Sequence, residues 1–124
     1  MAAADSLLFH IDTIIIDGRP IAFEDGSGML SGAARFENEV VPSASGNDFA
    51  KRKRVPTTLK LKMQFTNAVD PAMLAATGGV QITGRDSQSG RRALMNNCIF
   101  GALGDLGAGS VDVSFFVLSP IEWL

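Results

Sequence analysis

The sequence predicts a mainly β fold, a small β-sandwich or partly rolled barrel with one short flanking helix, and three observations carry that expectation. Leu59, Leu61, Met63 and Phe65 alternate with Lys60, Lys62 and Gln64, the period-two pattern of a strand with one buried and one wet face. Asp17-Gly18 stands between two apolar runs, where a two-residue turn needs positive φ at both positions. Asp70-Pro71 opens a short apolar stretch ending near Gly78, the arrangement of a capped helix.

Taken in order, residues 7–16 read as a first strand centred on the β-branched Ile14, Ile15 and Ile16. Asp17-Gly18 turns the chain into Arg19-Pro20-Ile21-Ala22-Phe23, and Pro20, lacking an amide proton, belongs at a sheet edge or outside the ladder. Residues 25–32, with three glycines, read as a loop, and residues 34–41 as a second extended segment. Residues 42–54 combine Ser, Ala, Gly and Asn with the basic run Lys51-Arg52-Lys53-Arg54, and read as one long polar loop. The amphipathic strand over 55–65 follows, then the helix over 70–76. Residues 80–85 and 91–100 form a hairpin about a polar turn, residues 101–109 form a glycine-rich loop, and residues 111–118 form the last strand. In that strand Val111, Val113, Phe115 and Val117 occupy one face while Phe116 and Leu118 occupy the other, so both faces are expected to be covered.

The 124 residues fit one domain, 1–124, with a core burying roughly two-thirds of the unfolded chain's surface. Hydrophobic residues make up 46% of the chain and mean hydropathy is +0.18, an apolar balance for so small a domain. Some of those side chains are therefore expected to be buried against neighbouring subunits. A net charge of -2 excludes a broadly basic nucleic-acid or membrane-surface protein. The start, residues 1–6, has no basic n-region, and no apolar run approaches the ~20 residues that span a bilayer, so synthesis in the cytoplasm without membrane insertion is expected.

Candidate chemistry is sparse. One His and one Cys fall short of the four N or S ligands of a structural zinc site. Cys98 lies beside Ile99 and Phe100 in a strand and reads as a buried structural thiol. His10 and Asp12 share a strand face, but no nucleophile is tied to them, so a polar strand face is the better reading. The glycines near Gly26 and Gly104 lack a Walker pattern and read as loops. No catalytic set, metal site or cofactor is expected. Residues 51–54 are the sharpest local feature; with only Phe49 beside them, they suit an acidic protein partner better than stacked bases. Asp25, Glu37, Glu39 and Asp105 supply acidic candidates for such a surface.

The order of elements resembles the tail tube proteins of contractile-tailed bacteriophages, the Mu-like group included. The likeness runs through Val55-Pro56-Thr57-Thr58-Leu59-Lys60-Leu61-Lys62, the helix over 70–76, Val80-Gln81-Ile82-Thr83-Gly84-Arg85, Arg92-Ala93-Leu94-Met95-Asn96-Asn97-Cys98 and the closing strand over 109–116. It covers roughly residues 9–118. The resemblance implies a structural virion subunit that forms hexameric rings, stacked into a hollow channel for DNA and a tape-measure protein. A sheath surrounds the tube if the tail contracts. It implies assembly in the host cytoplasm, DNA passage without sequence-specific binding, and a role for Phe49, Lys51, Arg52, Lys53 and Arg54 between subunits or rings. A terminator or baseplate tube-like protein is the alternative of similar fold. A small nucleic-acid-binding β-barrel using Lys51 to Arg54 is the alternative from another class.

Overall fold

A computed structural model describes residues 7–66, 69–76, 78–107 and 109–124. The elements are β1 (Thr13–Ile16), β2 (Arg19–Pro20), β3 (Met29–Ser31), β4 (Phe36–Val41), β5 (Phe49–Arg54), β6 (Thr57–Gln64), α1 (Pro71–Ala75), β7 (Val80–Arg85), β8 (Arg92–Leu103), β9 (Ser110–Val117) and β10 (Glu122–Trp123). The fold is mainly β. An antiparallel sheet runs β2-β1-β7-β8-β9-β6-β3 with β10 on β8, and β4 and β5 form a separate two-stranded ribbon.

The larger sheet curls because its inward residues must share one core. Ile14 on β1, Ile82 on β7, Met95 and Cys98 on β8, Phe115 on β9 and Leu59 on β6 are all fully buried and form one cluster. Strands from opposite ends of the order meet there only if the sheet rolls. It does not close. The segment after β2 instead crosses to β6, where the Glu24 amide donates to the Lys62 carbonyl at 2.8 Å and the Gln64 amide to the Ala22 carbonyl at 3.0 Å.

Local chemistry sets each corner. Asp17 (φ 50) and Gly18 (φ 79) make the left-handed turn between β1 and β2, and Pro20 lies on the short edge strand. The Asp70 carboxylate caps α1 by accepting from the Ala72 amide at 3.0 Å, with Pro71 at the first helical position. Gly32 has φ +68, and a Cβ there would stand 2.3 Å from the Pro56 carbonyl oxygen. Only glycine fits at this pivot, where the chain leaves β3 for the ribbon.

Two aspartates tie the β7–β8 turn to the segment before β1. Asp12 accepts from the Ser87 amide at 2.9 Å and the Ser87 hydroxyl at 2.8 Å. Asp86, nearly fully buried, accepts from the amides of His10 at 3.3 Å and Gln88 at 3.0 Å and from the Ser89 hydroxyl at 3.0 Å. The Ser87 amide, helped by the Ser87 hydroxyl, holds the Asp12 carboxyl below the usual carboxylate range against partial burial. Burial pushes Asp86 up, and its hydrogen bonds together outweigh that, so its carboxyl is also lowered.

Three loop expectations are corrected. Residues 49–54 are not loop but strand β5, paired throughout with β4, and the true connection is 42–48. The reason is that β5 alternates in charge partners rather than in hydrophobicity, so a hydrophobic template misses it. Residues 29–31 form β3 against β6, and β8 runs three residues into the expected glycine-rich loop, to Leu103.

Candidate assembly surfaces

The ribbon is the feature that sets this fold apart from a self-contained domain. Every residue of β4 and β5 is exposed. A two-stranded hairpin without a third strand or a core beneath it is at best marginally stable in water. Its cross-strand pairs are Phe36↔Arg54, Glu37↔Lys53, Asn38↔Arg52, Glu39↔Lys51, Val40↔Ala50 and Val41↔Phe49.

Directly opposed residues share a face, and successive pairs alternate between faces. One face therefore carries Glu37 with Lys53, Glu39 with Lys51, and Val41 with Phe49 at the tip. The other carries Phe36 with Arg54, Asn38 with Arg52, and Val40 with Ala50. The first face matches opposite charges across the strands. On the second, Arg52 lies over the Phe36 ring at 4.0 Å, and neither Arg52 nor Arg54 has a carboxylate opposite it. The four basic residues thus divide into two sets. Lys51 and Lys53 are opposed by acidic residues in the same ribbon, a role for Glu37 and Glu39 that reading them as partner-surface candidates had missed. A charge-complementary pairing search between 36–41 and 49–54 would have found it.

The remaining named residues lie in the body. Leu59, Leu61 and Met63 on β6 are buried, and Phe65, just beyond β6, is partly buried against the core. On β9, Val111, Val113 and Phe115 are buried, with the Phe100 ring edge-on to Phe115 at 6.1 Å. Phe116 and Leu118 are not covered within the chain, being 44% and 51% exposed. The expected cover for this second face is therefore not supplied by the chain itself.

The candidate reactive groups are placed apart. His10 Nε2 lies 3.2 Å from an Asp25 carboxylate oxygen, while Asp12 is engaged with Ser87, so the two do not form a His–Asp pair. Cys98 is fully buried, its thiol donates to the Met95 carbonyl at 3.6 Å, and burial pushes its pKa up to about 11. Among the described residues, no cluster of three or more His, Cys, Asp or Glu is arranged to hold a metal ion. None of the described helices is long and apolar enough to cross a membrane.

No protein-family model and no curated sequence matches the chain. Solved structures do resemble it. A chain of the sheath-tube complex of an extracellular contractile injection system, PVC, in its extended state aligns with TM-score 0.61 at 10% identity, covering 99% of this chain and 95% of that one. A chain of the PVC sheath/tube terminator in the extended state aligns with TM-score 0.58 at 9% identity, covering 95% of each. The tube-terminating cap of the anti-feeding prophage aligns with TM-score 0.57 at 10% identity, covering 96% and 93%. At such identities the likeness shows a shared fold, one used by components of contractile tail-like assemblies.

Proposed function

We propose that this chain is a non-enzymatic structural subunit of a phage-tail-like tube, polymerising as stacked hexameric rings around a hollow channel. The observation that carries the reading is the exposed β4–β5 ribbon on a fold shared nearly end to end with chains of a contractile-system sheath-tube complex and sheath/tube terminator. A ribbon with no core of its own gains stability when a neighbour covers it, and heterologous contacts of that kind close into rings when the rotation closes. Phe116 on the outer face of β9, and Leu118 just beyond it, would be covered in the same way. Sheath on the outside, and tape-measure protein and transiting DNA in the lumen, are the partners this reading implies.

A second reading, a terminator or cap at the tube end, is favoured by two of the structures above, whose alignments differ from that of the sheath-tube chain by only 0.03–0.04 in TM-score. Negative-stain electron microscopy of the purified protein separates the two. Hollow rods support the tube subunit, isolated rings that bind the ends of tubes support the terminator, and a species that stays at 13.1 kDa at every concentration refutes both. Salt-sensitive binding of DNA by such a monomer would instead support the nucleic-acid-binding barrel.

A further inference from the structure

The ribbon is basic and the rest of the chain is acidic. Residues 35–54 hold five basic side chains against three acidic ones, a net +2, which leaves -4 for the remainder of a chain whose total is -2. Within the ribbon the excess is confined to one face. Lys51 and Lys53 stand opposite Glu39 and Glu37, whereas Arg52 and Arg54 stand opposite Asn38 and Phe36.

The body offers a complementary surface. A groove of about 650 Å³ lies between the 24–29 segment, β6 and β9, and its charged lining is Glu24, Asp25 and Asp112 against Lys60 and Lys62. Lys62 is already shared: its ammonium is 3.7 Å from Glu24, and it stands opposite Asp112 in the β6–β9 register. Asp25 is almost wholly exposed and, among the described residues, pairs with the imidazole of His10. Exposed Met29 adds an apolar wall that suits Phe36 and Val40 beside the arginines.

We infer that the Arg52–Arg54 face of the ribbon docks on the Glu24–Asp25–Asp112 groove of a second copy of this chain, while Lys51 and Lys53 stay opposite Glu39 and Glu37 of their own ribbon. The inference rests on the reading of the chain as a self-assembling subunit and specifies which face makes the contact. The planar guanidinium groups hydrogen-bond carboxylates in bidentate geometry that lysine cannot match. Pairs withdrawn from water in such a contact are worth more than the same pairs exposed. Because donor face and acceptor groove are different surfaces, the contact can repeat head-to-tail from copy to copy.

The test compares two neutralised variants that remove equal charge. Arg52→Gln/Arg54→Gln should weaken self-association about tenfold or more in sedimentation, and Lys51→Gln/Lys53→Gln should change it by less than about threefold. Arg52→Glu/Arg54→Glu and Asp25→Lys/Asp112→Lys should each fail to assemble alone yet co-assemble when mixed, with circular dichroism reporting that each is folded. Equal losses from the two neutralised variants, or no rescue on mixing, overturns the assignment and leaves the tube reading standing. A wild-type chain that never self-associates overturns both.

Discussion

Two leucines one pleat apart on β6 should differ in what they contribute to stability. Leu59 is 0% exposed, stands between Phe115 on β9 and Leu30 on β3, and has no path to solvent. Leu61 is 3% exposed and opposite Val113, but β3 pairs no further along β6 than Lys60, and Leu61 lines the open groove. Truncation to alanine loses the transfer energy of the removed groups, about 2–3 kcal/mol, plus about 24 cal/mol for each Å³ of cavity that survives. At Leu61 the groove wall can relax and water can enter, so Leu61→Ala should cost about 2–3 kcal/mol. At Leu59 the enclosed space persists, and about 80 Å³ of it would bring the cost to about 4–5 kcal/mol. Urea unfolding at one fixed protein concentration reads both values from the midpoint at constant slope. A Leu61→Ala cost equal to or above that of Leu59→Ala would refute the difference in enclosure. A cost below about 0.5 kcal/mol at either site would place it on the surface and the register in error.

Other outcomes follow from the same geometry. Asp12 and Asp86 have lowered carboxyl pKa values in the folded chain, so their stabilisation is complete above the unfolded value of about 3.9 and is lost as pH falls through the folded ones. Asp12→Asn/Asp86→Asn should therefore be less stable than wild type at neutral pH and converge with it in strong acid; a gap that persists unchanged to the lowest pH would count against this. With its pKa near 11, Cys98 should resist a thiol reagent at pH 8 until the chain unfolds, so labelling that proceeds at the rate of a free thiol under native conditions would contradict its burial. Gly32→Ala should destabilise the chain by about 2 kcal/mol or more, from left-handed backbone strain and overlap with the Pro56 carbonyl, as measured by thermal unfolding.

Features written in hydrophobic spacing or turn chemistry were legible from residues alone. The alternation around Leu61, the Asp17-Gly18 turn and the Asp70-Pro71 helix start all appear where their chemistry places them. Elements whose determinants are pairings across the chain were not. Met29–Ser31 is three residues with one partly buried side chain, too short to show a period, and becomes a strand only because β6 offers an open ladder. Phe49–Arg54 carries no apolar alternation, and its partner lies across the 42–48 connection. The Asp12–Ser87 tether joins positions far apart in sequence that no local pattern links. The basic run was legible as a segment, but its place in an exposed strand and the division of its four charges between two faces required the register.

The pairing pattern also shows where ladder is left open. An exposed strand edge recruits other chains, and the body sheet leaves few. The outer side of β6 is occupied by β3 and by the 22–24 crossing, β1 is flanked by β2, and the first half of β8 lies between β7 and β10. Unpaired ladder remains on the far half of β8, beyond the last β7 pair at Val80↔Cys98, on the outer sides of the short end strands β2 and β3, and along both outer sides of the ribbon. The ribbon also lacks a core, so it is held less firmly than the body. A one-residue slip in one direction would place Glu37 opposite Arg54 and Glu39 opposite Arg52, exchanging the faces while keeping opposite charges paired. Charge alone therefore does not fix the register; the tip does, because that slip would set Val40 opposite Lys51 and Phe49 opposite Pro42, breaking the Val40↔Ala50 and Val41↔Phe49 pairs.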